Sequence, residues 1–255
     1  MNIKNMKVRV AYFSAAGGTT NAAYILAHMF SENPEMIDQT PLKSREKEIC
    51  FDKNDLAIFA APSYGGKIPH APNLFTNLSG NNTPCIIAAT YGNRACENNL
   101  AQMKKIADDN GFRVIGAISI IIPHIFGVLS GKGRPDIKDR KVIYEFSQKI
   151  KNKLSNEDFH ELTIEGNPEI TDKPHMSKPI VKLTDDGKCQ HCGTCVRECP
   201  TGAIDSKTFE INSDLCIDCQ HCSFVCPSNA RSYEASWYAM DSKCNAKRNK
   251  VEYIL

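Results

Sequence analysis

The chain has 255 residues and a formal net charge of +2, enough length for one substantial core plus a small appendage. That charge gives no electrostatic case for nucleic acid or for an acidic partner. Residues 1–10 alternate polar and apolar side chains without a cleavage pattern, and the longest apolar stretch, 114–129, is broken by Ser119, Pro123 and His124. Neither a secretory signal nor a membrane span is therefore expected, and twelve cysteines without an export signal point to a reducing cytoplasm.

Strand-like and helix-like segments alternate from residue 7 to about 154. Residues 8–14 form a short apolar run, followed by a helix pattern with Ala22, Leu26 and Met29 at helical spacing. Residues 35–40 read as a short second strand, and 55–61 and 84–89 as buried strands. Residues 94–110 read as a helix carrying Leu100, Met103 and Ala107 on one face, with Gly111 just past its end. Residues 112–122 give the last strand, and Ile143, Phe146, Ile150 and Leu154 mark a closing helix after Arg134, Pro135 and Asp136. Such alternation predicts an α/β doubly wound parallel sheet of order 2-1-3-4-5.

Periodicity vanishes between 155 and 178, where Asn, Glu, Asp, Pro and Lys dominate, as in a linker. Residues 207–212 are expected as a strand. The stretch 235–255, with Trp237 and the basic pair Lys247 and Arg248, reads as a solvated tail. The expected division is 1–154, a linker at 155–177, a second unit at 178–234 and the tail at 235–255.

That second unit holds two copies of CxxCxxCxxxCP, 27 positions apart: Cys189, Cys192, Cys195, Cys199 and Pro200, then Cys216, Cys219, Cys222, Cys226 and Pro227. A [4Fe–4S] cubane needs four thiolates, and a tight CxxCxxC turn wraps three. Zinc ribbons use two CxxC pairs per metal rather than triplets followed by CP. A disulfide framework suits a secreted domain, and a Rieske role for His191 and His221 is redundant where thiolates suffice. This region resembles the bacterial two-cluster ferredoxins, in which the fourth ligand of each cluster comes from the other repeat. The resemblance implies two [4Fe–4S] clusters, one on Cys189, Cys192, Cys195 and Cys226, the other on Cys216, Cys219, Cys222 and Cys199. Residues 189–226 carry two basic and five acidic side chains, so that face is expected to be acidic.

Three loops follow strand ends in the first unit, where ligands of open α/β sheets bind. Ser14, Ala15, Ala16, Gly17, Gly18, Thr19 and Thr20 run straight into a helix, whose N-terminal amides and dipole suit a phosphate. Pro62, Ser63, Tyr64, Gly65 and Gly66 offer an aromatic plane and a flexible backbone, and Thr90, Tyr91, Gly92 and Asn93 a second aromatic with polar groups. These loops look like the three FMN loops of flavodoxins. With the cysteine motifs, the chain resembles the flavodoxin–ferredoxin fusion proteins of anaerobes, of the EFR1-family ferredoxin type. The resemblance implies FMN, its phosphate at residues 14–20 and its ring between Tyr64 and Tyr91. Flavodoxin phosphate loops read S/T-x-T-G-N-T; here Ala16 and Gly18 stand where the threonine and asparagine would be, so two side-chain donors are missing.

A flavin takes one or two electrons and each cubane takes one, so the expected function is electron transfer between a redox protein donor and acceptor. A reductase acting on a small molecule such as a quinone, and a sensing or docking module without flavin, are the alternatives. No catalytic acid or base stands out. His124, Lys67 and Arg94 flank the loops as secondary candidates, and Cys50, Cys85, Cys96 and Cys244 read as incidental thiols.

Overall fold

The apolar runs assemble as a parallel sheet in the computed structural model, which describes residues 6–125, 129–170, 181–183, 187–233 and 250–255. The first unit runs β1 (Lys7–Tyr12), α1 (Gly18–Ala27), β2 (Glu35–Asp38), β3 (Ile49–Cys50), β4 (Asp55–Pro62) and β5 (Leu78–Ser79). It continues with β6 (Thr83–Tyr91), α2 (Asn99–Asp109), β7 (Phe112–Ile121) and α3 (Ile137–Asn156). Beyond it lie β8 (Val181–Leu183), α4 (Thr194–Arg197), α5 (His221–Phe224), β9 (Arg231–Tyr233) and β10 (Glu252–Ile254).

The main sheet has the order β10-β7-β6-β4-β1-β2, and its five strands from β2 to β7 are all parallel. Counted among themselves, these strands follow 2-1-3-4-5, the flavodoxin-like order. Every residue of β4 and β6 is buried, because helices cover both faces. Alternation then sorts the side chains: Leu56, Ile58 and Ala60 pack with Leu26 of α1 and Ile150 of α3, whereas Ala57, Phe59 and Ala61 pack with Met103 of α2. Between Cys85 and Ile86 the register with β7 slips by one residue, leaving Ile115 as a bulge. At the adjacent Gly116, a Cβ would meet Ile150 Cδ1 at 2.4 Å, so α3 sits directly on the sheet there.

Helix α3 starts where its capping residues dictate. Asp136 accepts from the amides of Lys138 and Asp139, and the Asp139 carboxylate accepts from the Asp136 amide, closing a reciprocal box.

Three expectations need correction. The helix expected from residue 94 begins at Asn99, because Asn93 and Glu97 take positive φ (69° and 45°) and break the helical path. No strand spans 207–212. Phe209 turns with φ 61°, and only a single bridge joins Ile204 to Ile211. The end of the expected tail is not solvated: residues 252–254 add β10 antiparallel to the edge of β7, with Val251 buried. Trp237, Cys244, Lys247 and Arg248 lie outside the described residues.

The described part of the segment expected as a linker, up to residue 170, packs on the first unit. Helix α3 reaches Asn156, Leu162 is buried in the α2-side core, and Gln102 Nε2 donates to Glu169 O. Strands β8 and β9 pair antiparallel at the two ends of the cysteine-bearing unit.

Candidate functional site

The carboxyl ends of β1, β4 and β6 release the three loops side by side around a cavity of about 580 Å³. Hydrogen bonds between the loops fix their spacing. Thr19 Oγ1 and Thr90 Oγ1 are 2.7 Å apart, the Ser63 amide donates to Thr90 O at 2.7 Å, and Asn99 Nδ2 donates to Pro62 O at 3.0 Å. Ser14, Ala15, Ala16, Gly18 and Thr19 line the cavity, as do Pro62, Ser63, Tyr64, Gly65, Thr90, Tyr91 and Gly92.

Gly17, Thr20, Gly66 and Asn93 do not line it. Gly17 sits just before α1 with φ 80°, and a Cβ there would meet nothing within 4 Å. Thr20 donates its amide to Ser14 Oγ at 3.0 Å, and Gly66 O accepts from the Asn98 amide. The first amides of a helix have no partner within it, and with that of Thr20 taken by Ser14, those of Gly18 and Thr19 stand at the cavity wall. Glycine is required at 92, where a Cβ would meet the His124 ring at 2.1 Å, and at 18 a Cβ would push aside only the tip of Ile122, Cδ1 at 2.9 Å.

The two tyrosines differ. Tyr64 is half-buried and packs edge-on to Phe13, and desolvation followed by proximity to Cys219 raises its hydroxyl pKa well above the ordinary value. Tyr91 is buried, and its hydroxyl donates to Lys250 O at 2.7 Å. The last residues of the chain therefore anchor one wall. Of the secondary candidates, Arg94 and His124 line the cavity; Arg94 also pairs with Glu97 at 2.6 Å. Lys67 lies off the main cavity, bridged to Tyr64 through the backbone. Cys85 is fully buried, which pushes its thiol pKa up, whereas Cys50 is exposed and Cys96 half-buried.

Sequence reasoning missed the fourth wall. Ile217, Asp218 and Phe224, all from the second cysteine motif, line the same cavity. His221 Nδ1 lies 2.8 Å from Ala15 O, tying that motif to the first loop. Arg45 of the flavodoxin-like unit hydrogen-bonds Pro200 O. The only hint in the sequence was apolar residues at 217 and 224 among ligand cysteines, and nothing in spacing says which surface they meet.

The cysteines fall into two environments. Cys219 is buried, and desolvation, then the like charges of Cys199, Cys222 and Cys216, raise its thiol pKa well above normal. Burial likewise pushes Cys216 up to about 11 and Cys222 up to about 12, and both also feel Cys199. Cys192 is exposed; a hydrogen bond with Thr194 lowers its pKa, and the like charge acting against that is Cys226. Cys199 thus acts on all three cysteines of the second triplet and Cys226 on Cys192 of the first, while Cys195 of the first also acts on Cys222. Among the described residues no three His, Cys, Asp or Glu side chains converge on a single ion. A cubane does not ask for that, since its four thiolates bind four irons.

These residues fit the groups in question. The cysteines supply thiols only, in two sets of four, and backbone amides already reach sulfur: Ala203 N to Cys199 Sγ at 3.3 Å, Ala230 N to Cys226 Sγ at 3.2 Å. The cavity is within the usual range of about 300–1,000 Å³ for cofactor sites, and it combines free helix amides with aromatic walls.

Comparison with known proteins agrees for the cysteine-bearing unit. Residues 188–230 match the model of the 4Fe-4S dicluster domain family. The protein NrfC homolog of Haemophilus influenzae is 45% identical over 67 residues, 24% of this chain and 29% of its own length. A polypeptide of the anaerobic dimethyl sulfoxide reductase of the same organism is 33% identical over 69 residues, 25% of this chain and 33% of its own length. The chain thus spans about a third of the length of the curated relatives it matches. Among solved structures, a Streptococcus flavodoxin aligns with 57% of this chain and 98% of its own, at a TM-score of 0.40 and 15% identity. No described helix is long and apolar enough to cross a membrane. On one chain, then, a sheet of flavodoxin-like order is joined to a ferredoxin-type 4Fe-4S dicluster domain.

Proposed function

We propose that this chain is a cytoplasmic electron carrier that holds FMN across the three loops and two [4Fe–4S] clusters on the crossed cysteine sets. When bound, the flavin supplies one- or two-electron exchange and each cluster one-electron exchange, which couples the two kinds of redox partner. The chain's own residues do the rest. The amides of Gly18 and Thr19, with the hydroxyls of Ser14 and Thr19, would hold the phosphate at the start of α1. Tyr64 and Tyr91 would flank the ring, and Ile217 and Phe224 would exclude water from its side nearest the dicluster domain. Cys216, Cys219, Cys222 and Cys199 would hold one cluster against this wall, and Cys189, Cys192, Cys195 and Cys226 the other at the exposed face.

One observation carries the reading: a single cavity is lined jointly by the three loops and by residues 217, 218 and 224 of the second cysteine motif. A motif that belonged to an independent module would have no reason to form the wall of that cavity. The exposed face around Cys192 suits an external redox protein, and relatives such as the dimethyl sulfoxide reductase polypeptide support that class of partner.

The test is a stopped-flow experiment on anaerobically purified protein containing flavin and about eight irons, the content of two cubanes. Flavin and cluster signals should equilibrate at a rate independent of protein concentration. A rate proportional to concentration would mean transfer between molecules and would end the one-chain reading. Protein that binds neither FMN nor riboflavin would favour the docking module instead.

A further inference from the structure

Two arginines are buried beside the second cysteine set with no ion-pair partner among the described residues. Arg45 is 2% exposed and Arg231 4% exposed. Among the described residues neither lies within ion-pair distance of a carboxylate. Their acceptors among the described residues are backbone carbonyls. Arg45 reaches Gln39 O at 2.6 Å, Thr40 O at 3.3 Å and Pro200 O, whereas Arg231 reaches Phe209 O at 2.6 Å. The Nε–H of each is buried without any acceptor. Pro200 follows Cys199 directly, and β9, which carries Arg231, packs on α5, which carries Cys222.

The one carboxylate acting on Arg45, that of Asp38, is exposed and beyond ion-pair distance, and an enclosed guanidinium so weakly compensated is costly, which favours a buried anion beside it. Carbonyl dipoles orient the guanidinium groups but do not neutralise them. Burial brings the pKa of Arg45 down to about 10, with Asp38 and Cys199 acting in the other direction, so its charge persists at neutral pH. A cubane bound by four thiolates carries a net charge of roughly −2 in its oxidised form, which two arginines balance. Burial alone disfavours the more negative reduced form, and fixed positive charge offsets this. Near the first cysteine set, by contrast, Arg231 reaches Cys226 through its backbone, and the arginine side chain in contact is that of Arg197, which bonds Cys192 O and is exposed, so solvent screens it.

We infer that Arg45 and Arg231 are the fixed counter-charges of the cluster held by Cys216, Cys219, Cys222 and Cys199, and that they set its reduction potential. Arg45 comes from the flavodoxin-like unit, so the potential of this cluster depends on the two units being docked. The inference rests on the proposed cluster assignment.

The experiment is a redox titration of full-length protein followed by electron paramagnetic resonance, with iron content measured on every sample. Arg45→Gln keeps an amide donor for the carbonyls but removes the charge, whereas Arg45→Lys keeps the charge. In Arg45→Gln, the signal that Cys219→Ser perturbs should shift to lower potential. The shift should be at least tenfold in the one-electron equilibrium, about 59 mV. Arg45→Lys should hold that signal near its original value, Arg231→Gln should lower it in the same direction, and the other cluster should not move. Unchanged midpoints in iron-replete Arg45→Gln would overturn the inference, as would equal shifts in the Gln and Lys variants. Loss of iron from both Arg45 variants would also overturn it, by making the residue a structural clasp. Absence of iron from the unmodified protein would instead sink the cluster assignment itself.

Discussion

Gly17 offers a direct test of the phosphate loop, because its substitutions separate charge from shape. It precedes α1 with φ 80°, where an L-residue costs about 1–2 kcal/mol, less for Asn and Asp. A Cβ there would meet nothing within 4 Å, so bulk alone does not distort the loop. Gly17→Asn and Gly17→Asp carry almost the same volume and the same tolerance of positive φ, and they differ by one negative charge. For charges about 5 Å apart at an effective dielectric of about 20, repulsion is about 3 kcal/mol. Gly17 is exposed, so solvent halves that to about 1.5 kcal/mol, a factor of roughly ten in affinity. Fluorescence titration of apoprotein should therefore show FMN binding at least tenfold weaker to Gly17→Asp than to Gly17→Asn. Riboflavin, which lacks the phosphate, should bind the two variants alike. Equal FMN affinities, or parallel losses for FMN and riboflavin, would refute the placement of the phosphate at this helix start.

The remaining predictions concern the clusters, the sheet edge, the core and acid stability. Cys226→Ser should abolish the signal of the cluster on Cys189, Cys192 and Cys195 and leave about four irons, and Cys199→Ser should do the reverse; loss of the nearer cluster in each case would mean uncrossed ligands. Truncation before residue 250 should lower the urea midpoint and weaken FMN binding, since it removes β10 and the Tyr91 hydroxyl's acceptor; a variant as stable as the full chain would leave β10 without a structural role. Gly116→Ala should destabilise by about 1–3 kcal/mol in urea melts, because the added methyl meets Ile150 Cδ1 at 2.4 Å; a neutral effect would show that α3 is free to move off the sheet. Desolvation opposes ionisation of Glu35, but hydrogen bonds from Lys7 and Arg9 outweigh it and hold its pKa below the ordinary 4.5. Its contribution to stability is thus complete above pH 4.5 and lost as pH falls through the lowered value, so Glu35→Gln should flatten the acid limb of a stability profile, and an unaltered limb would contradict this.

Elements governed by local chemistry were legible in the sequence. The strands β4, β6 and β7 follow from largely apolar runs, since a strand covered on both faces needs no polar alternation. The closing helix follows from the residues at its start, where Asp136 and Asp139 cap each other's amides. Three loops at strand ends follow from the strand assignment. The cysteine spacing carries the dicluster domain outright, because that ligand order reflects the size of a cubane.

What the sequence left unread depends on residues far apart meeting. The start of α2 moved to Asn99 because Asn93 and Glu97 turn the chain at positive φ, a cost repaid by loop contacts that no window of sequence contains. The segment 252–254 became β10 by covering the open edge of β7, and pairing partners 133 residues apart leave no local signature. Arg45 looked like one more surface charge, since nothing near it in sequence says that Pro200 will cover it. The sequence by itself determined the two cysteine motifs and the three loops at strand ends, because ligand spacing and loop composition are short-range properties. Only the tertiary structure decided that the second cysteine motif forms a wall of the loop cavity, since docking two surfaces depends on shape and desolvation summed over both.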